Sequence, residues 1–346
     1  MPPLRPLSYL PLRRFATASP GPGTPAFQVF NRHTKLLQRQ RAAISPLSRT
    51  TDYLRDHVAR DLVERLLVIN RRFPRILDLG AGACNIGRAL TLPVGDGEGQ
   101  PGEKVGDRVE KYVAGEVSEK LLYRDVDADW NRNIDVERVV MDEESLPFDE
   151  GSFDAVVSAG SMHWINDLPR ALREVNRVLK PDAPIVAAMF GGDTLYELRT
   201  SLQLAEQERM GGVSPRVSPL ADTRDMGGLL DKAGFKLLTI DVDDVVIDFP
   251  DVFALMLDLQ AMGEGNAVLG RKEGQVSRDV LMAAQGIYKA LHGNEDGSLP
   301  ATFRVIYMVG LLHIIQKILL LTVDRLVGRR ARTSRSRWRG GVHSFR

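Results

Sequence analysis

Apolar residues recur along this chain in two rhythms. Leu54, Val58, Leu62 and Leu66 fall at four-residue steps on one helical face, and helical character reaches back to Gln28, so residues 28–67 are expected to be helical. Leu168, Leu172, Val175 and Leu179 fall at i, i+4, i+7 and i+11, which predicts a helix over 169–180, stopped by Pro181. Residues 194–210, 221–233, 252–262 and 277–291 carry the same period, the second closing at Gly234. Short apolar runs at 75–79, 111–115, 136–141, 153–159 and 183–189 read as strands. Leu238, Ile240 and Val242 alternate with Thr239, Asp241 and Asp243, a half-buried strand, and 303–309 reads as the last one. Seven strands alternating with helices predict an α/β fold with a doubly wound, seven-stranded sheet. Residues 92–110 are rich in Gly, Glu and Asp without a period, and read as a solvated surface insertion.

Composition adds little to this picture until it is resolved along the chain. Of 346 residues, 43% are apolar and 26% charged, the profile of a globular protein. The net charge of +1 gives no overall bias toward nucleic acid, and no nucleic-acid partner is expected. The ends differ from the middle. Residues 1–51 hold no Asp or Glu and eight Lys or Arg, and 311–346 hold nine basic residues against Asp324 alone. The first 26 residues, which contain Arg, Ser and Pro and no acid, read as a mitochondrial transit peptide with a matrix-peptidase-like site around Arg13, Arg14 and Phe15. The single cysteine, Cys84, permits no intrachain disulfide and reads as a small residue fitting a turn.

The chemistry concentrates after the first strand. Ile76-Leu-Asp-Leu-Gly-Ala-Gly82 runs a strand into a Gly-x-Gly turn and then a helix start. Val139-Val-Met-Asp-Glu-Glu-Ser-Leu-Pro-Phe148 follows, then Phe153-Asp-Ala-Val-Val-Ser-Ala-Gly-Ser-Met-His-Trp164. Asn85 stands where a dinucleotide fingerprint needs its third glycine, which argues against NAD. The six histidines form no His-x-Asp, His-x-Glu or HExxH pattern and there is no cysteine pair, so no metal is expected.

The order of these segments resembles the class I S-adenosylmethionine (SAM) methyltransferases of type 11, which implies a Rossmann-like fold and SAM as cofactor. By that resemblance Gly80 and Gly82 form the turn beside the methionine and ribose, and Asp78 faces the methionine amino group. Glu116 takes both ribose hydroxyls. It lies 36 residues after Gly80, and the 92–110 insertion accounts for the excess. Asp142 accepts from the adenine amino group, and Glu143 offers its backbone N–H. Ser158, with Ala159 and Gly160, leaves room for the sulfonium and the acceptor. His163 is either a catalytic base or a ring that packs near the cofactor, and Trp164 is a pocket wall.

A closer resemblance rests on Phe30-Asn-Arg32, Gln38-Arg-Gln-Arg-Ala42, Leu230-Asp-Lys-Ala-Gly-Phe235, Asp241-Val-Asp-Asp244, the stretch 249–266, and Ala301-Thr-Phe-Arg-Val-Ile-Tyr-Met-Val-Gly310. These are similar to the mitochondrial complex I (NADH:ubiquinone oxidoreductase) assembly factors with a methyltransferase fold. The malonyl-carrier-protein methyltransferases of biotin synthesis are more distant kin. The resemblance covers 27–310. It implies a matrix location, peripheral association with the inner membrane, and hydroxylation of an arginine in a matrix-arm subunit. A carrier-protein or small-molecule methyltransferase and a non-catalytic scaffold are the alternatives. It also implies an N-terminal helical segment and a helical insertion, 249–266, acting as a lid, a docking face or plain core. After Gly310 the chain departs from the family. Residues 305–323 have nearly the length of a membrane span but are interrupted by Lys317, and 311–346 read as a basic atypical tail, either a membrane-surface helix or a translated intron.

Overall fold

A computed structural model describes residues 28–94, 102, 104–271, 274 and 276–312. The transit-peptide segment, the centre of the 92–110 insertion and residues 313–346 lie outside the described residues. In chain order the elements are α1 (Arg32–Ile44), α2 (Tyr53–Val68), β1 (Phe73–Leu79), α3 (Asn85–Leu90), β2 (Val109–Glu116), α4 (Glu119–Leu122), β3 (Asp135–Val140), β4 (Ala155–Ala159), α5 (Leu168–Val178), β5 (Pro184–Phe190), α6 (Tyr196–Met210), α7 (Thr223–Lys232), β6 (Phe235–Phe249), α8 (Val252–Ala261), α9 (Arg278–His292) and β7 (Leu299–Leu312).

The strands form one seven-stranded sheet in the order β3-β2-β1-β4-β5-β7-β6. The first five are parallel, while β7 runs antiparallel between β5 and β6. Successive strand residues face opposite layers. Ile76, Tyr112, Val157, Val186 and Tyr307 pack under α2, α6 and α9, while Leu77, Val113, Val156, Ile185 and Met308 pack under α5 and α7. Strand order reverses between β1 and β4, and a crevice at the carboxyl ends of the strands there is where a doubly wound sheet binds its ligand. Local chemistry fixes the helix starts. The Asp167 side chain accepts from Arg170 N ahead of α5, where Pro169 occupies the first turn. Asn31, Asp251 and Ser277 cap α1, α8 and α9 in the same way.

Four expectations need correction. The helical segment 28–67 is two helices, broken by a turn at 45–52. The strand read at 238–243 is part of a fifteen-residue edge strand. A bulge between Lys236 and Thr239, with exposed Leu237 at φ 49°, hides its start, and solvent-facing residues at 241–244 erase the alternation. The last strand passes Gly310: Leu311 pairs with Pro184 and Leu312 with Phe235, so the run considered as a membrane span begins inside the sheet. No helix among the described residues is long and apolar enough to cross a membrane. Finally, the 92–110 insertion is not solvated throughout, because Val105 is fully buried.

Candidate functional site

The reversal point gathers the residues that the motifs singled out. Gly80 (φ 71°), Gly82 (φ 57°) and Cys84 (φ 63°) alternate left-handed conformations as β1 turns into α3. At Gly80 a Cβ would stand 2.1 Å from Ser161 Oγ, so no side chain fits. Cys84 is fully buried and burial pushes its thiol up to about 12, which makes it a turn filler rather than a nucleophile. The Ser158 hydroxyl donates to Leu79 O at 2.7 Å and lies 3.1 Å from the Ser161 hydroxyl, so it also ties β4 to the glycine turn.

Asp78 ends β1 almost fully buried. Burial raises its carboxyl to about 7 against a hydrogen bond from the Tyr112 hydroxyl, and its Oδ1 has no partner among the described residues. Glu116 ends β2 and is fully buried. It accepts from Gly82 N (3.1 Å), Ser118 N (3.0 Å) and Arg39 Nη1 (2.9 and 3.2 Å). Asp142, Glu143 and Glu144 follow β3, and one guanidinium, Arg32, holds all three at 2.6 to 3.2 Å. Burial alone would raise the Glu143 carboxyl, but Arg32 and Arg39 outweigh it and hold the group below its ordinary value. Two small pockets lie at this ground. Asp78, Glu116 and Gly160 line the first, and Gly160 and Phe190 the second.

Phe190 also walls a cavity of about 620 Å³ between α6, α8 and the segment after α8. His163 and Trp164 stand at one side of it. The Glu264 carboxylate accepts from Trp164 Nε1 (2.7 Å) and Arg55 Nη2 (2.8 Å) and lies 3.2 Å from His163 Nε2. Burial alone would raise Glu264, but His163, Lys35 and Arg55 hold it well below the carboxylate range, while burial lowers His163 against the pull of Glu264. An ionised carboxylate only accepts, so a neutral His163 carries its proton on Nε2 and presents a lone pair at Nδ1, which has no partner among the described residues. The rest of the cavity is mainly apolar, with Leu198, Leu202, Leu220 and Met256 among its walls.

Arg32, Lys35, Arg39 and Glu264 were not singled out from the sequence. Their signal was present: three basic residues at i, i+3 and i+7 in an acid-free stretch, and one acid between Gly263 and Gly265. The 249–266 segment buries Val252, Leu255 and Leu259 in the core and delivers Glu264 and Asn266 to the cavity wall. Among the described residues one group, His57, Asp61 and Asp243, brings possible metal ligands within 4.8 Å of each other. It involves none of the residues above.

Residues 92–187 match the family described as a methyltransferase domain. The chain is 43% identical over 287 residues to the mitochondrial arginine-hydroxylase NDUFAF5 of Danio rerio, covering 82% of both chains. It belongs to the NDUFAF5 arginine-hydroxylase family. It is also 32% identical over 255 residues to a malonyl-[acyl-carrier protein] O-methyltransferase of Halorhodospira halophila, covering 73% of this chain and 79% of that one. A Bacillus halodurans structure named as a methyltransferase superposes with a TM-score of 0.50 at 16% identity, over 73% of this chain and 99% of that chain, and shows the shared fold. Membership in the NDUFAF5 family makes this a mitochondrial protein of the SAM-dependent methyltransferase superfamily.

Proposed function

We propose that this chain binds SAM and modifies an arginine side chain of a matrix-arm subunit during assembly of respiratory complex I, in the mitochondrial matrix at the inner-membrane face. The observation that carries the reading is the buried Glu116 carboxylate between Gly82 N–H and Ser118 N–H, beside the unpartnered Asp78 oxygen. Glu116 accepts the two ribose hydroxyls, Asp78 the amino group, and Asp142 the adenine amino group, with Glu143 N–H beside it. Gly80 and Gly82 let the backbone close on the ligand. Bound SAM supplies an electrophilic methyl on a sulfonium. Hydroxylation is carried by kinship with the family, and the acid–base assignment by the site. For methyl transfer, in which the acceptor nitrogen would gain a bond to the methyl carbon as the sulfonium loses it, His163 Nδ1 would accept a hydrogen bond from the acceptor nitrogen and take the proton that nitrogen gives up. Gln38 Oε1, also buried without a partner, is a second acceptor in the same wall. The apolar wall covers the aliphatic stem. Glu264 is held by Arg55, Trp164 and His163, so it orients the imidazole rather than binding substrate.

The test is SAM calorimetry on the protein, followed by mass spectrometry of complex I subunits from cells with and without the gene. An arginine heavier by one oxygen supports hydroxylation, and one heavier by a CH₂ supports methyl transfer, the chemistry of the malonyl-carrier relatives. SAM binding without any mark leaves a scaffold. Absence of SAM binding overturns the cofactor assignment.

A further inference from the structure

The helix α1 lies across both the cofactor ground and the large cavity, yet little apolar burial holds it there. Its buried residues are Lys35, Arg39 and Ala42, of which only alanine is apolar. Polar contacts fix it instead. Arg32 grips the acids after β3. The Lys35 ammonium donates to Gly263 O (3.0 Å) and Gly265 O (2.7 Å) and sits 3.2 Å over the Trp164 ring. Gln38 Nε2 donates to Asn266 O at 3.0 Å. Arg39, 4% exposed, reaches Glu116, 0% exposed.

The last contact decides the issue. A carboxylate offers about four lone-pair sites. On Glu116 one oxygen takes Ser118 N–H and Arg39, and the other takes Gly82 N–H and Arg39. The two backbone donors belong to the turn that forms the site, so they stay. Two ribose hydroxyls therefore find room on Glu116 only where Arg39 now sits.

We propose that α1 is a releasable strap: Arg39 occupies the ribose position on Glu116, cofactor binding displaces it, and the displaced helix loosens the 263–266 wall of the large cavity. This rests on the SAM reading above. Cofactor and acceptor sites are thereby linked through one helix, and SAM binds before the acceptor space opens. A strap held by polar contacts suits this, because water replaces most of what the contacts supply, whereas stripping a large apolar face from the core would be far more costly. Since the strap blocks a fraction of the molecules, the apparent SAM affinity is reduced by that fraction.

The experiment titrates the full chain with SAM and reads affinity by calorimetry and exchange of the α1 amides by hydrogen–deuterium mass spectrometry. Wild type, Arg39→Gln and Lys35→Met are compared. Lys35→Met frees the strap without touching the cofactor acids, so it stands in should Arg39→Gln fold poorly. The strap predicts faster α1 exchange in wild type on adding SAM. It predicts about tenfold tighter SAM binding by Arg39→Gln, the gain expected from a strap closed nine-tenths of the time, and tighter binding by Lys35→Met. Slower α1 exchange with SAM, together with weaker binding by Arg39→Gln, overturns it and makes Arg39 a cofactor ligand under a closing helix. SAM binding with unchanged α1 exchange overturns the strap and leaves the cofactor site standing. Failure of all three proteins to bind SAM overturns the cofactor reading and the strap with it.

Discussion

His163 and Glu264, 101 residues apart in the chain, meet at 3.2 Å beside the large cavity, and the carboxylate fixes which ring nitrogen carries the proton. If Nδ1 is the base, His163→Gln lowers turnover by about a hundredfold or more while SAM binding stays unchanged. The pH profile tests the pairing separately. Burial lowers His163 from 6.5, so the neutral, active form persists below that pH, and the acid limb of kcat/KM falls on the acid side of 6.5. Glu264→Gln removes the charge that stabilises the imidazolium, so the limb moves to still lower pH. An upward movement would sink the pairing.

The Arg39 contact makes Glu116 matter to the fold as well as to the cofactor ground. Glu116→Ala leaves a buried guanidinium short of its main partner, and losing one partner of a buried ion pair costs about 3–5 kcal/mol. Glu116→Gln keeps the shape and accepts through one oxygen only. In an Arg39→Gln background, where the strap no longer competes for the carboxylate, it should weaken SAM binding at least about tenfold, the loss of roughly one charge-assisted hydrogen bond, and by itself it should lower the melting temperature less than Glu116→Ala does. Calorimetry in the Arg39→Gln background and thermal melts on the single variants check both statements, and equal SAM affinity of Arg39→Gln with and without Glu116→Gln would remove Glu116 from the site.

Much of this architecture could be read from residue order. The strand cores at 75–79 and 111–115 and the helix over 169–180 are continuous in sequence and dictated by local period, so they could be located to within a few residues. The candidate cofactor acids were legible because each sits at or just past the carboxyl end of a strand. The partners of those acids were not. Arg32 and Arg39 lie in segments that carried the family resemblance without a role at the site, Lys35 lies in none, and a basic stripe on a helix reads equally well as a solvated face. Their meaning depends on α1 folding back over residues 77 and 228 positions away. Glu264 was hidden for the same reason. Of edge strand β6 only 238–243 was legible, from its alternation, because the bulge at Lys236–Thr239 separates the strand's start from that pattern.

At the glycine turn the prediction is steric. Gly80→Ala meets Ser161 Oγ and places a side chain at φ 71°. The backbone conformation alone costs about 1–3 kcal/mol, and the clash adds to it. Chemical denaturation should show a loss of at least that size. Adding Ser161→Gly to Gly80→Ala removes the clash but not the strain, so part of the loss returns. Full recovery, or none, would contradict the geometry.

Asp78 makes the protein sensitive to pH near neutrality in a direction opposite to that of a surface carboxylate. Its folded carboxyl titrates at about 7 against an ordinary value of 3.8, with burial the main cause. Between those values the folded state binds the extra proton, so this group's contribution to stability falls as pH rises from about 4 to about 7. Asp78→Asn removes the titration, so its stability should lose that slope relative to wild type across the window. The same group links SAM binding to protons. The cofactor's ammonium beside Asp78 favours the carboxylate, so at a pH just below 7 binding should release a fraction of a proton. Calorimetry in two buffers of different ionisation enthalpy measures the release directly, and Asp78→Asn should abolish it. Equal apparent enthalpies in both buffers for wild type would place the ammonium elsewhere.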